Sequence, residues 1–161
     1  MTYEELEKIA RVQSVKSSNE IEGIITTDER INAIVKGNSA PLNHNEQEIA
    51  GYRDALAVVH TGYNEMDFTE SAILRLHAIM LNIAGYEYAG QYKVYDNDII
   101  EEDSSGRRRI RFHPTSASDT PEQMEQIVLA YREARDNPNV NQLLLIPCVI
   151  LDFLCIHPFR D

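Results

Sequence analysis

The sequence predicts an all-α domain carrying one small β-hairpin. Three observations lead there. Apolar residues recur at three- and four-residue spacing through most of the chain. Helix-starting Thr and Pro and helix-ending Gly punctuate those stretches. Only one stretch, "VYDNDIIEEDSSGRRRIRFHP", sets β-branched and aromatic residues on either side of a Ser-Gly turn.

Taken in order, "YEELEKIARVQSV" aligns Leu6, Ile9, Ala10 and Val12 on one helical face. "SSNEIEGI" follows as a short helix that Gly23 can end. "TTDERINAIVKG" predicts a capping box from Thr26 and Glu29 and a stop at Gly37. "NSAPLNHNEQ" reads as loop, and "EQEIAGYRDALAVVHTGY" as a longer helix with Ile49, Tyr52, Leu56 and Val59 inward. "FTESAILRLHAIMLN" sets Phe68 before a Thr69 cap and Ile73 after it, as in a hydrophobic staple. "AGYEYAGQYK" is irregular, and the hairpin comes next. In "TPEQMEQIVLAYREARDNP", Thr120 is read as the cap, Pro121 as the first helical residue and Gln123 as the partner in the box. "NVNQLLLIPCVILDFLCI" is apolar nearly all round, which predicts a central buried helix started or kinked by Pro147.

The 161 residues fit one domain, 1–161, and 43% apolar residues suffice for a core. A formal charge of -11 argues against a broad nucleic-acid surface, which needs excess cations to displace counterions from phosphates. The one dense basic run, Arg107, Arg108, Arg109 and Arg111, reads as a solvated hairpin tip. The longest apolar run is too short for a membrane span and contains Pro147 and Asp152. "MTYEELEKIA" is acidic and amphipathic, unlike a secretory leader. Cys148 and Cys155 on one helix would stand about 10 Å apart along its axis, beyond disulfide reach. They are expected to be buried thiols in a reducing cytoplasm.

The residues that can carry chemistry cluster at the end of the chain. Pro158 disfavours helix through His157, so the imidazole should stand at the mouth of the last helix. Phe159 is apolar and can return the chain to the core, and Asp161 adds a carboxylate. His157 and Asp161 so placed suit a general base beside a metal-binding acid. By spacing alone a His-Pro is more often an ordinary helix terminus. Glu22 by itself reads as a solvent-facing helix carboxylate. His77 lies on an apolar face and reads as a satisfied core histidine, while His44, His60 and His113 have no metal-site spacing with the cysteines. Tyr86, Tyr88, Tyr92 and Tyr95 read as packing residues.

"IHPFRD" resembles the opening of the active-site loop of the Fic (Fido) family, HPFx(D/E)GNGRxxR, through His157, Pro158, Phe159 and Asp161. "SNEIEG" resembles the family's inhibitory motif, (S/T)xxxE(G/N), through Ser18, Glu22 and Gly23. "LHAIML" with "AGQYK" resembles the segment before the family's flap, although Lys93 stands where Arg is common. The order of inhibitory helix, helices, hairpin and central helix agrees as well, so the resemblance covers essentially the whole chain.

The resemblance implies a protein adenylyltransferase, which moves AMP from ATP to a hydroxyl side chain of a target protein. His157 would take the hydroxyl proton and Asp161 would hold Mg²⁺ on the phosphates. Residues 14–25 would form an inhibitory helix, in which Glu22 pairs with the last Arg of the motif and spoils the ATP pose. A bidentate Arg–carboxylate pair is directional enough for that role. Residues 92–114 would form a β-hairpin flap that docks the target by strand addition, with Val94, Ile110 and Phe112 at the contact and basic residues near an acidic target. The sequence reaches Asp161 without GNGRxxR, the half of the loop that cradles phosphates. From this we expect a domain cut inside its loop, no detectable transfer by these 161 residues, weak ATP and Mg²⁺ binding, an exposed apolar patch and self-association. The competing expectation is a non-catalytic interaction protein that binds a partner or a full-length copy.

Overall fold

The computed structural model describes residues 2–160. Six helices and one hairpin follow in order: α1 (Tyr3–Ile21), α2 (Asp28–Val35), α3 (His44–Gly62), α4 (Glu70–Asn82), β1 (Ile99–Glu102), β2 (Arg108–Phe112), α5 (Thr120–Asp136) and α6 (Gln142–Ile156). The all-α expectation with a single hairpin is met. The chain divides into two compact units, residues 1–67 with 72–90, and residues 68–71 with 91–161.

The first unit packs α1, α2 and α3 around Val15, Ile34, Ile49 and Ala50, with Tyr52, Leu56 and Ile83 against them. The two segments read as separate helices form one, α1. Thr2 and Glu5 close a capping box at its start, and Leu6 and Ile9 stay about half exposed while Val15 and Asn19 are buried. Gly23, at φ +74°, ends it: its N–H donates to Glu20 O and that of Ile24 to Asn19 O, the paired bonds of a Schellman stop. The cap of α2 is Thr27, one residue later than expected, accepting from Arg30 N–H.

Thr26 is thereby released to donate to Glu46. Glu46 is fully buried and accepts from Arg30 Nε (2.9 Å), Arg30 Nη2 (2.6 Å) and Leu42 N–H (2.8 Å). The Arg30 bonds lower its carboxyl to about 2, against the opposing effect of burial. α3 and α4 approach so closely that a Cβ at Gly51 would stand 1.8 Å from Met80 O. His77 is satisfied by Gly90 N–H, 3.0 Å from Nδ1.

The second unit packs α5 on α6, burying Met124, Ile127, Val128, Leu145 and Ile156. Thr120 does not cap α5. It lies inside the helix, and its buried hydroxyl donates back to Ser116 O at 2.7 Å. Pro147 sits within α6, which Asn141 caps.

The expected burial of α6 is overturned. Leu143, Leu144, Ile146, Ile150, Leu151 and Leu154 are all exposed. An all-round apolar helix needs neighbours on every side, and among the described residues α5 packs against it along one. Cys148 and Cys155 are exposed too, not buried. No helix of the described residues is long and apolar enough to cross a membrane.

Candidate active site

α6 ends at Ile156 because Pro158 follows its cap. His157 takes the left-handed conformation, φ 48° and ψ 65°, and its N–H still donates to Phe153 O at 2.9 Å. A non-glycine residue there costs backbone energy, so the surroundings must hold it. They do. Pro158 is buried and its carbonyl accepts from Lys93 N–H at 2.8 Å. The Phe159 ring lies 6.1 Å from those of both Tyr92 and Phe153. The Tyr92 hydroxyl donates to Glu70, and burial together with that carboxylate pushes the phenol well above its ordinary range.

The sequence pattern puts residues 94–98 at the start of the first hairpin strand, but β1 begins at Ile99. The segment before it is irregular and serves the helix end. Lys93 is buried, and its Nζ donates to Ile156 O at 3.2 Å and to Asn97 Oδ1 at 2.8 Å. A cation at the C-terminal end of α6 complements the helix dipole. Asn97 Nδ2 then stands 3.0 Å from His157 Nδ1. Asp96 accepts from Ala117 N–H, and Asp98 pairs with His113 Nδ1. A cleft of about 350 Å³ runs along residues 93–98, with Arg160 on its wall.

β1 and β2 pair antiparallel with Ile100 opposite Ile110, Glu101 opposite Arg109, and an irregularity at Ile99 and Ile100. Asp103 Oδ1 accepts the N–H groups of Ser105 and Arg107 and closes the turn, shorter than the sequence predicted. Ile110 and Phe112 are exposed on β2. Val94, expected on the flap, is exposed but lies ahead of β1, because the strand starts later. Arg108, Arg109 and Arg111 pair with Glu102 and Glu101, so much of the hairpin's positive charge is met within it. Glu101 and Glu102 belong to β1.

In the first unit, Ser18, Glu22 and Gly23 share the C-terminal end of α1. Ser18 Oγ meets Tyr52 OH on α3 at 2.9 Å. Glu22 is the C-cap and is exposed. Asp161 lies outside the described residues. Asn97 is the site residue that sequence reasoning missed. It falls in no motif, and only the four-residue step from Lys93 hints at a shared role.

A helical domain with a two-stranded hairpin and a His-Pro-Phe corner closing its last helix is the class that this geometry defines. The family model for the Fic/DOC family matches residues 67–161, and the chain belongs to that family. Its fold is similar to the crystal structure of a Fic domain containing signaling protein from Bacteroides thetaiotaomicron. The TM-score is 0.78 at 22% identity, over 100% of this chain and 62% of that one. The chain thus spans less than two thirds of that relative. No curated protein matches it.

Proposed function

We propose that this chain belongs to a protein adenylyltransferase in which His157 is the general base. The observation that carries the reading is the imidazole fixed in a strained corner at the end of α6, inside the segment that the family model matches. ATP would supply the AMP, its α-phosphorus taking the target's hydroxyl oxygen as the bond to pyrophosphate breaks. His157 receives the hydroxyl proton and later returns it to solvent. Asp161 would hold Mg²⁺. Among the described residues no cluster of three or more potential metal ligands occurs.

The target is a protein with a Ser, Thr or Tyr hydroxyl, and the hairpin edge near Ile110 and Phe112 would receive its extended segment. Glu22 would act as the inhibitor, with Ser18 and Gly23 shaping the helix end that presents it. A reaction that draws on ATP suits the cytoplasm. Self-association through exposed apolar surface fits the same reading.

The test uses the protein that carries this chain and ATP labelled in its α-phosphate. Label should enter protein hydroxyls, vanish in His157→Ala and rise in Glu22→Ala. Equal labelling by the protein and its His157→Ala variant would refute the assignment. No labelling by any form would favour the second reading, a non-catalytic binding protein, to which the exposed apolar hairpin also lends support.

A further inference from the structure

We propose that Lys93 and Asn97 are positioning residues that set the tautomer of His157, holding the neutral ring with its proton on Nε2. The argument begins with an ammonium, which has donors and no acceptor. Lys93 Nζ is fixed in place: its own backbone N–H is bound to Pro158 O, and Nζ itself donates to Ile156 O. The Asn97 side-chain atom 2.8 Å from that ammonium must accept, so it is the amide oxygen. The atom 3.0 Å from His157 Nδ1 is therefore the amide nitrogen, which only donates. Nδ1 must then offer its lone pair. A neutral imidazole with an accepting Nδ1 bears its proton on Nε2.

The opposite arrangement, Nδ1–H donating to Asn97 Oδ1, would turn the amide NH₂ onto the ammonium. Two donors would then face each other 2.8 Å apart in a buried place. Lys93 thus decides the orientation of Asn97, and Asn97 decides the ring. The three residues come from two separated stretches, the segment before β1 and the end of α6, so the arrangement is tertiary.

The consequence for catalysis rests on His157 being the base. In the held tautomer the single lone pair is occupied by Asn97, and Nε2 can only donate. The ring can take a substrate proton only after the Asn97 amide turns away. Loosening this contact is then a step on the way to an active base.

The tautomer can be read directly from long-range proton–nitrogen NMR correlations of the imidazoles in the nitrogen-labelled 161-residue chain. The measurement is made without ATP or target, at about pH 8.5, where an imidazole of ordinary pKa is neutral. Five histidines are present, and the His157→Gln spectrum identifies the signals of His157. We expect Nδ1 far downfield as the unprotonated nitrogen. An Nδ1–H pattern for His157 overturns the proposal.

Asn97→Asp replaces the donor with a carboxylate and should reverse the tautomer, whereas Lys93→Met frees the amide and should give a mixture. A folded Asn97→Asp chain that keeps the proton on Nε2 also overturns the proposal. If that variant fails to fold, the parent spectrum decides alone. Because the readout involves no transfer, absence of adenylyltransferase activity would not touch it, and failure of the relay would leave His157 available as a base.

Discussion

Arg30 grips the buried carboxylate of Glu46 with two nitrogens, Nε on Oε1 at 2.9 Å and Nη2 on Oε2 at 2.6 Å. The pair joins the start of α2 to the first turn of α3, and Leu42 N–H and the Thr26 hydroxyl complete it. Removing the acid with Glu46→Ala takes the acceptor from Leu42 N–H and Arg30 Nε, while Arg30 keeps its bonds to Ser39 Oγ and Ala40 O. The expected loss is about 3 kcal/mol in urea unfolding. The pH dependence has a definite sign. The folded carboxyl titrates at about 2, below its ordinary 4.5, so its contribution is full above 4.5 and lost as pH falls toward 2. Glu46→Gln should flatten stability against pH in that window. An unchanged acid limb would show that the pair does not govern it.

Gly51 is required by the approach of α4. A methyl group there would meet the backbone at Met80 O, which cannot swing aside as a side chain would. Gly51→Ala is expected to cost about 1–3 kcal/mol by overpacking, despite the better helix propensity of alanine. Denaturant unfolding of the two forms settles the sign, and a gain in stability would mean that the helices separate freely.

The exposed thiols allow a quick check on α6. Cys148 and Cys155 both face outward in the described chain. Both should react with a water-soluble thiol reagent under native conditions, at rates within about tenfold of free cysteine. Protection of both would show that this face is covered in solution.

The fold was legible where one local rule decides. Gly23 and Gly37 stop their helices because only glycine takes positive φ cheaply, and both do so here at φ above +70°. The sequence misled where two rules compete. Thr26 and Thr27 are equivalent as caps on paper, and the buried demand of Glu46 for a donor breaks the tie. Thr120 looked like a cap, but Ser116 O claims its hydroxyl. The apolar composition of α6 correctly gave a helix, yet composition does not reveal how many neighbours pack against it. His157, Pro158 and Phe159 were visible as a motif, whereas Asn97 was not, because its role depends on a loop folding back onto a helix end.

The left-handed corner at His157 makes a final, separable prediction. Any L-residue at φ 48° bears a steric cost that glycine does not. Both His157→Gly and His157→Ala lose the bond to Asn97, so that loss cancels between them. The remaining difference is the backbone. The glycine variant should therefore be the more stable of the two by about 1 kcal/mol, the reverse of their order in a helix interior. Thermal unfolding of the pair gives the comparison. If alanine proves the better residue, the corner is not left-handed in solution, and the imidazole is not held as the structure describes.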